Sequence, residues 1–497
     1  MKPEGPGTPL LERLPSQIPG LDTILGGGFF NSGVYIIQGL PGCGKTILAN
    51  QLCYGHIKDG GRAVYVTLLA ESHSRMLQHI RTLSFFDESV IPARLSYISA
   101  FRDLEAEGLK GLMAVLRREM RALGASVLIL DGLVAATEAA ETDRELKKFI
   151  HEVQTSAVFH GCTVFLLTSG SAQRVNAEHT MVDGLIELED RLFDARSERS
   201  IQVRKFRGAR TIRGKHSFQI TDAGLEVFPR LEALFDQPAD AAYHTHRLGS
   251  GIPSLDALIK SGGLPRASAT VVVGSTGTGK TTLGLHFLSQ SSATEPGLLF
   301  GFFEAPQRLL AQGRALGLDL DKLQQAGHLS LAWHAQTEYS LDALGHRLLD
   351  TVSSKGIKRL VIDGLSGFLE SATFPERIGR FFACLVNELR RRDVTVLMTL
   401  ETRDAIGSVV PTPYGVSAFV DNLFFLRFVE TRGQVRRLIS ILKVRSADFD
   451  PSLHALQIDA SGLHIAGRYT DSGDIIPSAL PVDREMSADQ SSQGAVA

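Results

Sequence analysis

Two eight-residue segments hold the clearest chemistry in the chain. Gly39-Leu-Pro-Gly-Cys-Gly-Lys45-Thr46 and Gly274-Ser-Thr-Gly-Thr-Gly-Lys280-Thr281 both read G-x-x-x-x-G-K-T, with their lysines 235 positions apart. In such a loop the glycines let consecutive backbone N–H groups turn inward onto phosphate oxygens, and the following helix presents the positive end of its dipole. The lysine adds a point charge at the outer phosphates, and the threonine hydroxyl is a ligand for Mg2+. The motif therefore assigns a nucleotide to Gly39, Gly42, Cys43, Gly44, Lys45, Thr46 and Ile47, and to Gly274, Gly277, Thr278, Gly279, Lys280, Thr281 and Thr282. A glycine turn that merely packs a strand on a helix explains one such match. Two matches, each after an apolar strand and before an apolar helix, leave little room for it.

Carboxylates at set distances complete the pattern. Asp131 and Asp363 each end an apolar strand, Val127-Leu-Ile-Leu-Asp131 and Leu360-Val-Ile-Asp363. There, beside the nucleotide, a carboxylate holds the metal. A lone strand-terminal Asp reads more simply as a helix cap, but the position of each after a phosphate loop favours the metal role. Glu71 and Glu304 lie 26 and 24 residues after their lysines, where a carboxylate reaches and polarises an attacking water. The competing reading is a solvated loop glutamate. Thr168, Ser169 and Thr399 stand at strand ends where a hydroxyl either senses the terminal phosphate or satisfies a nearby backbone group.

The elements that must position these residues recur twice. Ile18-Pro-Gly-Leu21-Asp22 returns as Ile252-Pro-Ser-Leu255-Asp256, Lys205-Phe206-Arg207 as Lys443-Val444-Arg445, and Gln219 to Gly224 as Gln457 to Gly462, at offsets of 234, 238 and 238. This order and spacing predict two domains, 12–230 and 246–466, with an N-terminal tail over 1–11, a linker over 231–245 and a disordered tail over 467–497. Short β-branched runs alternate with helical patterns such as Glu105 to Leu123 and Ser340 to Ser354. The fold class is thus α/β, two tandem P-loop NTPase domains, each a mostly parallel sheet covered by helices.

Bulk properties narrow the rest. The 497 residues carry a net charge of −2, against a protein that mainly coats nucleic acid. The stretch Arg191 to Lys215 holds nine Arg or Lys and two acids, and reads either as a nucleic-acid surface or as a subunit-facing one. The four cysteines form no C-x-x-C pair and no metal-ligand spacing, as expected of reduced thiols in the cytoplasm. No apolar run is long enough to span a bilayer, so neither export nor membrane insertion is expected.

Taken together, the domain order, the phosphate loops and Lys205-Phe206-Arg207-Gly208 followed by His216-Ser-Phe-Gln-Ile-Thr resemble the KaiC family of RecA-like ATPases over about residues 12 to 466. The resemblance implies a two-tiered homo-hexameric ring with ATP and Mg2+ held between neighbours. Lys205, Phe206, Arg207, Lys443, Val444 and Arg445 would then reach the nucleotide of the next subunit. Two departures stand out. Clock members of the family place two adjacent glutamates after the second strand, whereas this chain has Ala70-Glu71 and Phe303-Glu304. Their adjacent Ser-Thr phosphosite aligns with Ser417-Ala418, leaving Ser417 as the matching acceptor and Thr412 as a nearby one.

The resemblance implies slow ATP turnover used for signalling to a partner protein that the sequence does not name, with room for serine/threonine autokinase activity at Ser417. Lys45, Lys280, Glu71 and Glu304 would be the catalytic groups. A RecA-type nucleic-acid motor or recombinase and a non-hydrolysing ATP-dependent scaffold are the rival readings, and nucleic acid is the less favoured partner.

Overall fold

A computed structural model of the chain describes residues 12–68, 73–170, 180–193, 196–235, 246–335, 339–402, 416–431, 433–445, 447–470 and 474–475. Glu71, Thr412, the N-terminal tail and most of the linker and C-terminal tail lie outside those residues, as does the side chain of Ser417. The chain divides into two compact units, residues 1–236 with 338–346, and 237–337 with 347–497.

In the first unit the described strands form a nine-stranded sheet. Its parallel part runs in the order Leu95–Ser99, Ala63–Thr67, Val127–Asp131, Thr163–Thr168, Val34–Gln38 and Gly184–Phe193. Three antiparallel strands, Arg196–Phe206, Lys215–Thr221 and Gly224–Phe228, extend it beyond that edge. The parallel strands are continuous apolar runs because both faces are covered. Alternate residues divide cleanly between two cores. Tyr35, Ile37, Tyr65, Ile129, Phe165 and Leu167 pack under the helix Lys45–Lys58. Val34, Ile36, Val64, Leu128, Leu130 and Leu166 pack under Phe101–Leu123 and Asp143–His160.

The second unit repeats the plan. Its parallel order is Leu329–Trp333, Gly297–Gly301, Arg359–Asp363, Thr395–Glu401, Ala269–Gly274 and Asn422–Thr431. Gln434–Val444, His454–Asp459 and Gly462–Arg468 follow antiparallel. Val272, Leu299, Val361 and Leu397 point to the face covered by Lys280–Ser289. Both sheets are therefore the mostly parallel, helix-covered α/β sheets read from the sequence. No helix among the described residues is long and apolar enough to cross a membrane.

Candidate nucleotide sites

The backbone of each loop is set by sterics. A Cβ on Gly39 would stand 2.3 Å from the carbonyl oxygen of Leu188, and one on Gly274 2.4 Å from that of Leu426, so only glycine lets the loop turn off its strand. Gly44 and Gly279 enter their helices at φ of 101° and 104°, a left-handed conformation that costs glycine little. The helices Lys45–Lys58 and Lys280–Ser289 start at the next residue. Lys45 Nζ donates to the Gly39 and Leu40 carbonyls at 2.7 and 3.0 Å, and Lys280 Nζ to Gly274 and Ser275 at 2.9 and 2.8 Å. Each ammonium lies across the mouth of its loop, where an outer phosphate would dock.

Strand alternation carries Asp131, two residues after Ile129, onto the face of the loop helix. Its carboxylate accepts the Tyr65 hydroxyl at 2.6 Å and a hydrogen bond from the Thr46 side chain. Burial pushes its pKa above the usual Asp range, against the pull of Tyr65 and Lys45. Beneath it, the Tyr97 hydroxyl donates to Asn50 Oδ1 at 2.8 Å, and Asn50 Nδ2 donates to the Thr46 carbonyl at 2.8 Å.

Asp363 is held from the other side. Thr399 donates to it at 2.7 Å and Thr281 at 3.1 Å, and the Thr399 hydroxyl accepts the Gly364 N–H at 2.7 Å. Burial again raises the carboxyl, with Thr399 and Thr281 opposing. In both halves one hydroxyl and one carboxylate converge at the helix start, an all-oxygen donor pair of the kind Mg2+ takes.

These contacts refine the reading of the strand ends. Thr399 faces Asp363 instead of open loop. Thr168 pairs with Gln38 while Thr399 pairs with Val272, one residue short of the equivalent register. Thr168 therefore follows Leu166 toward the opposite face, and the counterpart of Thr399 is the buried Leu167. Tyr65, Asn50, Tyr97 and Glu401 were not singled out from the sequence. Period-two counting along each strand is the signal that finds Tyr65 and Glu401.

The second half encloses a cavity of about 510 Å³ lined by loop residues with Phe303, Glu304, Asp363, Glu401 and Arg437. Burial, then the nearby Asp363 charge, pushes the Glu304 carboxyl up, with Arg308 opposing. Phe303 is 58% exposed, and its ring lies so close to Gly364 that a Cβ there would meet Cε2 at 2.4 Å. An aromatic ring therefore covers the turn after Asp363, at the position where clock members carry their first glutamate. Arg437 Nε donates to the Gly277 carbonyl at 3.0 Å, tying the antiparallel extension to the loop.

The paired cations sit elsewhere. Lys205 and Phe206 face Leu185 and Gly184 at the start of their neighbouring strand, whereas the loop turns beside Leu188. Three to four residues separate the two levels, roughly 10–14 Å. Lys205 Nζ donates to the Thr180 carbonyl at 2.8 Å, and Arg207 donates to Thr180 and Met181. Lys443 and Arg445 repeat this with Val420 and Ala418, each at 2.8 Å. Burial, then the adjacent arginine, lowers the pKa of both lysines. Neither Lys-x-Arg segment is brought to the phosphate loop of its own half.

Across the basic stretch, Arg191 faces Glu189 at 3.1 Å, Arg199 faces Asp190 at 3.0 Å, Arg204 faces Glu187 at 2.7 Å, and Lys215 also pairs with Glu189. Acids of the strand Gly184–Phe193 thus pair with four of the nine cations counted along 191–215.

Each half is thus a RecA-type α/β domain with a phosphate loop, its lysine and a strand-end aspartate assembled at one end of the sheet. A family model described as the KaiC ATPase matches residues 14–232 and again 248–469, and the chain belongs to that family. It is 26% identical over 475 residues to the circadian clock protein KaiC3 of Synechocystis sp., covering 92% of each chain. It is 25% identical over 491 residues to the circadian clock oscillator protein KaiC of Picosynechococcus sp., covering 96% of this chain and 94% of that one. The KaiC2 protein of Synechocystis sp. is 25% identical over 482 residues, 94% of this chain and 83% of the relative.

Proposed function

We propose that this KaiC-family ATPase is a Mg2+-dependent, homo-hexameric ring whose slow ATP turnover signals to a protein partner. Its domains span 12–230 and 246–466. The observation that carries the ring reading is the placement of the Lys-x-Arg segments at the opposite end of each sheet from the loop of the same half. A cation so placed serves a nucleotide only if that nucleotide belongs to a neighbour, where it stabilises charge on the transferring phosphoryl group. Thr46 with Asp131, and Thr281 with Asp363, would hold Mg2+, which supplies charge neutralisation for the phosphates when bound. Glu71 and Glu304 are the groups assigned to the attacking water. The four free, buried cysteines support a reducing compartment, and we assign the chain to the cytoplasm.

Hydrolysis is favoured over phosphoryl transfer to protein. The aromatic ring of Phe303 supplies no base at the first-glutamate position, so autophosphorylation is confined to a slow, single-site event at Ser417. Intact-mass measurement after incubation with Mg2+-ATP checks this, any gain being at most one phosphate and absent in Ser417→Ala. The ion pairing across 191–215 weighs against a nucleic-acid motor.

Sizing chromatography with and without ATP tests the ring. A nucleotide-dependent hexamer that is lost in Lys45→Ala supports the reading. A monomer under every condition, or a hexamer indifferent to nucleotide in Lys45→Ala and Lys280→Ala alike, overturns it.

A further inference from the structure

The strand Thr395–Glu401 ends in an acid that the phosphate-loop motif does not require. Counting by two from Leu397, which packs on the loop-helix face, puts both Thr399 and Glu401 on that face. Thr399 is engaged with Asp363. Glu401 pairs in register with Gly274, the first residue of the loop, and its carboxylate accepts a hydrogen bond from the Thr276 hydroxyl. It lines the cavity together with Lys280, Glu304 and Asp363.

The first half differs at this point. Thr168 pairs with Gln38, so Ser169 is the residue that stands level with Gly39. A small neutral hydroxyl in one half thus answers a carboxylate in the other. The second-half cavity collects three acids, Glu304, Asp363 and Glu401, against the cations of Lys280 and Arg437.

In a loop of this kind the residues at the helix start hold the inner phosphates, and the strand ends face the outermost one. The Glu401 carboxylate, bonded to the early loop residue Thr276, stands where oxygens of a third phosphate arrive. Like charges a few ångströms apart in a partly enclosed site repel strongly, whereas a diphosphate ends short of that point. We propose that Glu401 is a specificity-determining residue that biases the second half toward ADP over ATP, a bias the first half lacks because it carries Ser169. This rests on reading the second half as a nucleotide site.

The test is made on the full chain with Mg2+, titrating fluorescent ADP and a fluorescent non-hydrolysable ATP analogue into the native protein, Glu401→Gln and Glu401→Ser. Each titration is repeated with Lys280→Ala added, and the binding component lost there is the second half. Glutamine keeps the shape and a bond to Thr276 while removing the charge; serine reproduces the first half. The expected result is a rise of about tenfold or more in ATP-analogue affinity of that component in both variants, with ADP affinity changed by less than about twofold. An unchanged ATP-to-ADP ratio overturns the proposal, and so does a fall in ATP affinity, which would make Glu401 a partner of the bound cation. If Lys280→Ala removes no component at all, the nucleotide-site reading of this half fails and the proposal falls with it.

Discussion

The two halves fold the same backbone around the same loop, yet they fasten the strand-end aspartate beside it from opposite strands. In the first half a tyrosine on the outer neighbour, Tyr65, donates to Asp131 at 2.6 Å. In the second half a threonine on the inner neighbour, Thr399, donates to Asp363 at 2.7 Å. The positions matching Tyr65, Tyr97 and Asn50 are Leu299, Leu331 and Leu285, so the polar network under the first loop is replaced by aliphatic packing under the second. What the fold demands is that a buried carboxylate receive a hydroxyl donor, because an unsatisfied buried charge is costly. It does not fix which strand supplies the donor. One sheet can therefore be duplicated and its halves tuned apart by changes that leave the loop motif intact.

The largest expected effect concerns Glu71 and Glu304, the glutamates proposed to polarise the attacking water. In a Glu71→Gln background, adding Glu304→Gln lowers ATP turnover by about 100-fold while nucleotide stays bound, since charge is removed and shape kept. Steady-state phosphate release with parallel nucleotide quantification reads both. Turnover unchanged in the double variant shows that both halves use some other group.

A smaller effect sharpens the contrast itself. Tyr65→Phe leaves Asp131 without its tyrosine donor and raises the Mg2+ concentration needed for first-half binding by about 5–10-fold. Thr399→Val does the same for the second half alone. Mg2+ titrations of nucleotide binding in these variants must show each change confined to its own half. An equal effect of either variant on both sites would mean that the different fastenings are incidental.

The smallest effect is one the halves should share. Burial holds Asp131 and Asp363 above the ordinary aspartate range in both. A carboxyl with a raised pKa takes up its proton at higher pH, and the protonated form no longer binds a cation. As pH falls, Mg2+ affinity therefore begins to drop earlier than an ordinary aspartate would allow, and it does so in both halves. Mg2+ titrations at a series of pH values above the acid-unfolding range check this, and a pH-independent requirement in either half contradicts it.

Much of each site was legible in sequence because its constraints are local. A glycine at φ near 100° and a strand that ends in Asp after an apolar run leave marks within eight residues. Partners supplied across the sheet leave weaker marks. Tyr65 reaches Asp131, 66 positions away, because their strands pair side by side, which spacing along one strand does not display. Thr168 and Thr399 look equivalent when strands are aligned by their last threonine, but the register differs by one residue, and in a strand one residue reverses the face. The charge of 191–215 shows the same limit, since the acids that offset part of it, Glu187, Glu189 and Asp190, lie just before that stretch on the strand Gly184–Phe193.

The chain is expected to hold two nucleotide sites, one per half, each dependent on its own loop lysine. Equilibrium dialysis with Mg2+ and a non-hydrolysable ATP analogue at saturating concentration counts them directly. Two nucleotides per native chain are expected, one in Lys280→Ala with only the first site filled, and none in Lys45→Ala with Lys280→Ala. A native chain that saturates at one nucleotide, or a Lys280→Ala chain that still holds two, contradicts it.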